Sequence, residues 1–219
     1  SRFLLASPSN FSMIRRVISS ISLFESQGAV DWQARELAHA IISGNNTGYD
    51  LMVGVRRGGE YVADAIERHL PAGFCRHRVN VSLQRPSTRG KGARLAAVLG
   101  NMPLWMLNSA RRLESRWLSM KAPKDPEKAT PRKLVIEDGK LPDLSDNPRI
   151  LLVDDAIDSG ITISNVRREL MARYDKPDLK IAVITVTTAT PAVEPDYCKY
   201  HNRTLIRFPW SIDYKKMKP

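Results

Sequence analysis

The sequence predicts an α/β fold with a parallel sheet flanked by helices, and three observations carry that expectation. Short apolar runs at 49–55 (YDLMVGV), 149–153 (RILLV) and 180–187 (KIAVITVT) have the length and β-branched content of strands buried on both faces. Segments with helical spacing of apolar residues stand between them, at 30–43, 60–70 and 163–174. Two of the strands run directly into glycine-bearing turns that open the next helix, RRGG at 56–59 and DSGIT at 158–162.

Composition sets the outer limits. A chain of 219 residues with 42% hydrophobic and 26% charged residues can bury one sizeable core, or a core with a small lobe, so residues 1–219 read as one domain. No apolar run approaches the roughly 20 residues of a membrane-spanning helix. The first residues, SRFLL, are too short for a secretory apolar region, and a start at Ser1 rather than Met suggests a trimmed or engineered beginning. Cys75 and Cys198 stand far apart without metal-ligand spacing, which suits free thiols in a reducing cytoplasm. The net charge of +11 calls for a polyanionic partner: either a small polyphosphate in a basic cleft or a nucleic acid. Helix-turn-helix, zinc-finger and RNA-recognition signatures are missing, and Lys and Arg are spread along the chain, which favours the small ligand.

Taken in order, residues 9–18 read as a capped helical arm, and 30–43 as an amphipathic helix through Trp32, Ala34, Leu37, Ala38 and Ile41, stopped by NNTG at 45–48. The first core strand, 49–55, leads through RRGG into a helix at 60–70. Residues 74–82 alternate polar and apolar side chains as a strand does. The Gly-, Pro- and Arg-rich stretch 84–92 has the composition of a mobile loop. Residues 93–147 form an apparent insertion. Its stripe of Met102, Leu104, Met106, Leu107, Ala110, Leu113, Trp117, Leu118 and Met120 is better suited to core packing or a dimer contact than to a ligand. Residues 121–133 read as an exposed linker, and LVIE at 134–137 with the Asp138-Gly139 turn as a hairpin. The strand at 180–187 is followed by a loop at 188–195 and a final run, TLIRFPW, at 204–210.

The chemistry concentrates at 151–162, LLVDDAIDSGIT. Asp154 and Asp155 follow the apolar run, at the carboxyl end of a strand, where open α/β sheets bind ligands. Two carboxylates there can accept hydrogen bonds from vicinal sugar hydroxyls or approach a metal. Ser159, Gly160, Ile161 and Thr162 open the following helix, whose free N–H groups and positive dipole end attract an anion. Gly160 admits close backbone approach, and Ser159 and Thr162 add hydroxyl donors. One Asp, Ser or Thr would serve as an ordinary N-cap. This turn supplies three acids and two hydroxyls around one glycine.

These residues resemble the ribose-phosphate signature of type I phosphoribosyltransferases: four apolar residues, two acids, three variable positions, Thr or Ser, Gly, any residue, then Thr. The resemblance extends from about Trp32 to Trp210 outside the insertion. It implies a type I phosphoribosyltransferase core with a small hood built from terminal segments, residues 188–219 forming its base-binding part, and a helical insertion. By the same resemblance Asp154 and Asp155 would bind the ribose hydroxyls of phosphoribosyl pyrophosphate, and 158–162 its 5-phosphate. Arg56, Arg57, Gly58 and Gly59 resemble the pyrophosphate turn of purine enzymes, with Arg56–Arg57 the candidate cis bond. Arg85, Arg89, Lys91 and Arg94 would lie on a flap closing over the diphosphate, although a solvated basic loop has the same composition.

Asp158 matches the hypoxanthine, guanine and xanthine enzymes, in which the acid at this place exchanges a proton with the purine; as a general base it would contribute on the order of 10²–10⁴ in rate. The FPW ending at 208–210 resembles the same subgroup. Two base contacts depart from it. Thr188 stands where a lysine is expected, and Leu205, followed by Ile206, where an aromatic should stack on the base. Ser211 replaces an acid, with Asp213 near enough to serve as an indirect ligand of a second metal. The resemblance therefore implies a Mg²⁺-dependent transferase acting on a nucleobase, with a purine-like acceptor, and a homodimer is expected. A non-catalytic sensor of the same ligands, or an enzyme for a specialised heterocycle, fits the altered base contacts too.

Overall fold

The structure is a computed structural model that describes residues 21–23, 27–84, 133–137, 139–201 and 205–211. The arm at 9–18, the basic loop with Arg85, Arg89, Lys91 and Arg94, the apolar stripe of the insertion and Asp213 lie outside the described residues.

Strands β1 (Ile21–Leu23), β2 (Tyr49–Val55), β3 (Cys75–Leu83), β4 (Leu134–Ile136), β5 (Arg149–Ile157), β6 (Asp178–Val186), β7 (Tyr197–Tyr200) and β8 (Leu205–Arg207) accompany helices α1 (Gln27–Gly44), α2 (Gly58–Glu67) and α3 (Ile161–Arg173). Six strands form the main sheet in the order β4-β3-β2-β5-β6-β7. Every pairing in it is parallel except β3 with β4. A separate parallel pair joins β1 to β8.

The two-residue period of a strand divides the core between the faces of this sheet. On β5, Leu151 and Val153 point into a cluster with Val30, Leu37 and Ile41 of α1 and Val62 and Ile66 of α2. Ile150 and Leu152 point the other way, toward Ile163, Val166 and Leu170 of α3. All four β5 side chains have no exposed surface, which explains why β5 reads in sequence as an unbroken apolar run. The helices therefore cover both faces, as the composition of the strands required.

The strand order reverses between β2 and β5. After β2 the chain moves outward to β3 and β4, and after β5 it moves to β6 and β7 on the opposite side. The crevice where α2 leaves the end of β2 and α3 leaves the end of β5 is thus the topological switch point of the sheet. Asp50, at the other end of β2, clamps the same two strands: its Oδ2 accepts hydrogen bonds from Arg149 N at 2.9 Å and Arg149 Nε at 3.4 Å.

Three local expectations are corrected. Residues 134–136 do not fold back as a hairpin; they pair antiparallel with Val81, Ser82 and Leu83 and form the edge of the main sheet, so the end of the apparent insertion belongs to the core. Helix α2 starts at Gly58 rather than near Glu60, since its two glycines are packed under the neighbouring strand. β5 continues past the acid pair to Ile157, because β6 stays paired with it to the Ile157↔Val186 register while β2 leaves after Gly54↔Val153. The β2-facing edge of β5 is released just where the acids begin.

Candidate active site at the switch point

The acid pair sits at this released edge. Asp154 is 8% exposed and its Oδ1 accepts the backbone N–H of Asp155 at 2.9 Å. Burial, with Asp155 alongside, pushes the Asp154 carboxyl well above the ordinary carboxylate range. Burial also raises Asp155, against the lowering effect of a hydrogen bond donated by the Trp210 indole to its Oδ2 at 2.7 Å. Two desolvated acids side by side are a destabilising arrangement that a fold keeps for binding or catalysis.

The RRGG turn closes the crevice from the β2 side. The Arg56–Arg57 peptide is cis, as the resemblance suggested. A side-chain carbon on Gly58 would fall inside the Asp155 carboxylate, and one on Gly59 would lie 2.5 Å from the Val153 carbonyl oxygen and 2.8 Å from Asp154 Cα. Only glycine allows the start of α2 to press against the acids. The two arginines then separate in role. Arg56 is engaged by protein carboxylates, with Nε 2.8 Å from Glu60 and Nη1 2.9 Å from Glu137. Arg57, exposed at the N-cap of α2, makes no ion pair among the described residues. Of the two, Arg57 is the one placed to meet an anion.

On the β5 side, Gly160 caps α3 in the left-handed region (φ 80°), and the cap makes no side-chain hydrogen bond. Ser159 Oγ reaches Ile161 N at a long 3.5 Å. A side-chain carbon on Gly160 would come within 3.0 Å of Val193 N and 3.1 Å of Ala192 N, and Ser159 O accepts Ala192 N–H at 3.1 Å, so the loop after β6 braces the turn from behind. The opening residues of α3 thus present a helix N-terminus beside the acid pair, the arrangement that binds phosphate oxygens. Asp158 is exposed at the mouth, its Oδ1 held by the Thr187 hydroxyl at 2.5 Å.

Asp154, Asp155, Asp158, Ser159, Gly160, Ile161, Thr162 and the RRGG turn therefore meet at one crevice, from strands about a hundred residues apart in sequence. The expected base contacts do not gather as cleanly. Thr188 is 8% exposed just beyond β6. Ile206 is 4% exposed and packs in the α1–α2 core, so it is committed to the interior rather than offered to a ligand. Leu205 is its neighbour on β8.

Sequence reasoning missed three residues. Thr187 closes an apolar run with a hydroxyl beside Asp158, Trp210 places a lone N–H donor against Asp155, and Glu137 holds Arg56. The first two carry weak signals in sequence, a polar residue ending a buried strand and an indole after Phe-Pro. Glu137 carries none, because its pairing depends on the edge strand β4.

Comparison with known proteins agrees with this geometry. Residues 24–216 match the family described as phosphoribosyl transferase domain. Among solved structures, the chain is similar to a purine phosphoribosyltransferase from Pyrococcus horikoshii (21% identity, 87% of this chain and 93% of that one, TM-score 0.54). It is also similar to a xanthine-guanine-hypoxanthine phosphoribosyltransferase from Helicobacter pylori (16%, 89% and 96%, 0.55) and a hypoxanthine-guanine phosphoribosyltransferase from Bacillus anthracis (16%, 86% and 85%, 0.52). Among curated proteins none matches. At these identities the structures show a shared fold, while the family match covers nearly the whole length: the chain belongs to the phosphoribosyltransferase family and carries its parallel-sheet core.

Proposed function

We propose that the protein transfers the 5-phosphoribosyl group of phosphoribosyl pyrophosphate to a nitrogen of a purine-like base and releases pyrophosphate. The observation that carries this reading is the convergence, at one switch-point crevice, of a buried acid pair, a phosphate-binding helix start and a glycine turn bearing Arg57. Asp154 and Asp155 would accept hydrogen bonds from the two ribose hydroxyls. Residues 159–162 would hold the 5-phosphate through backbone N–H groups and the Ser159 and Thr162 hydroxyls. Arg57, with the N–H groups opening α2, would hold the diphosphate.

In the reaction the anomeric C–O bond to pyrophosphate breaks and a C–N bond to the base forms, and the proton on that nitrogen has to leave. Asp158, exposed and oriented by Thr187, is the group that would take it. The donor set suits Mg²⁺ held chiefly by substrate oxygens, as that ion prefers phosphates with few protein ligands: the carboxylates here are occupied by Trp210 and by the Asp155 backbone N–H, yet leave negative charge beside the ribose. When bound, the ion would neutralise the leaving pyrophosphate. A purine-like acceptor is supported by Asp158 and by the purine substrates for which the similar proteins are named.

Pyrophosphate release is the test, measured with phosphoribosyl pyrophosphate, Mg²⁺ and a panel of purine, pyrimidine and other heterocyclic bases. Asp158→Ala should lower kcat by about 10²–10⁴-fold while leaving phosphoribosyl pyrophosphate binding within a few-fold of wild type. Tight binding without turnover on any base would overturn the transferase reading and leave a ligand sensor.

A further inference from the structure

The Asp155 carboxylate is the most constrained group in the crevice, and most of that constraint comes from the C-terminal segment. Trp210 Nε1 donates to Asp155 Oδ2 at 2.7 Å. The indole has no other polar function, being a donor only. Its ring lies between two aromatics. Phe208 stacks on it at 5.0 Å with planes 5° apart, and Tyr61 at 5.0 Å and 24°. Phe208 is 3% exposed and roots the stack in the α1–α2 core, while Tyr61 projects from the first turns of α2. The Ser211 N–H to Phe208 O hydrogen bond, 2.9 Å, makes the turn that brings Trp210 back over the crevice. From the opposite side Gly58 touches the same carboxylate so closely that no side chain fits between them.

A carboxylate is otherwise free to turn about its last torsion, whose energy profile is broad. A charge-assisted hydrogen bond from a donor fixed by two stacked rings removes that freedom, and holding Oδ2 leaves the remaining oxygen aimed in one direction.

We propose that Trp210 is a positioning residue for sugar binding: its indole N–H orients the Asp155 carboxylate toward the ribose hydroxyls of phosphoribosyl pyrophosphate, linking the seating of the C-terminal segment to the readiness of the acid pair. This rests on the reading that the acid pair binds the ribose. The link also accounts for an indole here, because Phe or Leu would fill the stack equally well but could not donate.

Three variants separate the possibilities, each measured by calorimetric binding of phosphoribosyl pyrophosphate with Mg²⁺, by KM and kcat for pyrophosphate release, and by thermal melting. Trp210→Phe keeps a stacked ring and removes only the donor. It should weaken phosphoribosyl pyrophosphate binding and raise its KM by about 5–30-fold, the range for losing a hydrogen bond to a charged group, with kcat, the KM for the base and Tm little changed. Phe208→Leu loosens the stack and keeps the donor, so Tm should fall while sugar binding weakens by clearly less than in Trp210→Phe. Wild-type binding in Trp210→Phe, or losses of binding in the two variants that simply track their losses of Tm, would overturn the positioning role. Asp155→Ala keeps the two ideas apart. If it binds phosphoribosyl pyrophosphate normally, the acid-pair reading itself fails; if it binds poorly while Trp210→Phe binds well, only the role of Trp210 fails.

Discussion

Gly59→Ala is the sharpest probe of how the crevice is built. The added carbon would lie 2.5 Å from the Val153 carbonyl oxygen and 2.8 Å from Asp154 Cα, both on the main chain of a central strand that is paired on both sides. Ordinary contact needs about 3.5–4.0 Å between such atoms. Neither neighbour can rotate aside, so the start of α2 has to retreat by on the order of 1 Å. Overpacking of this kind costs about 1–3 kcal/mol, which for a domain near 200 residues lowers Tm by about 3–10 °C. The functional loss should be larger than the stability loss, because the retreat carries Arg57 and Gly58 away from the acid pair, and misplacement by 1 Å can cost about 10²-fold in rate. Gly73→Ala is the control: Gly73 has φ +76°, unlike Gly59, but a side chain there meets nothing within 4 Å and lies far from the crevice in sequence and sheet position. It should lose about 1–2 kcal/mol through backbone strain alone, with pyrophosphate release unaffected. Wild-type stability and turnover in Gly59→Ala, or equal losses of activity in the two variants, would refute the reasoning.

The remaining predictions concern charge and the phosphate turn. An acid whose folded pKa lies above its unfolded value costs stability as pH rises past the unfolded value, and the cost is complete above the folded value. Asp154 is such a group. Asp154→Asn should therefore raise Tm by about 2–6 °C at pH 7–8 and abolish phosphoribosyl pyrophosphate binding, with the melting difference vanishing below about pH 4. Asp50 behaves oppositely: burial opposes its charge, but Arg149, through its backbone N–H and guanidinium, and Arg76 outweigh that and hold it below the ordinary range. Its contribution is present above the unfolded pKa and is lost as pH falls through the folded value, so Asp50→Asn should lose about 1–2 kcal/mol at pH 7 and less in acid, as urea titrations at two pH values would show. Gly160→Ala combines a left-handed backbone with close approach to Ala192 and Val193; it should cost at least about 1–2 kcal/mol and reduce protection from melting by added phosphoribosyl pyrophosphate.

Much of the candidate site was legible in the sequence because its parts are local. A strand, two acids and a helix-opening glycine turn lie within 151–162, and the physics that makes them bind an anion acts within a few residues. The RRGG turn was legible for the same reason, as was the alternation of buried strands and amphipathic helices that required a covered parallel sheet. By contrast, the second ion pair that occupies Arg56, while Arg57 makes none among the described residues, depends on Glu137, which reaches Arg56 only because β4 adds to the edge of β3. Ile206, expected beside the base, is drawn into the core by the pairing of β8 with β1 and by its contacts with the α1–α2 cluster.

What the sequence determined by itself was the fold class, the family and the chemistry that short motifs can hold, since backbone periodicity and helix-terminus electrostatics are set by neighbours along the chain. The tertiary structure alone decided the rest: that β2 and β5 are adjacent, bringing two turns about a hundred residues apart to one switch point, and that Trp210 closes on Asp155. Those contacts arise from the burial of separate apolar faces against one another, and such long-range packing leaves no periodic mark in the sequence of either partner.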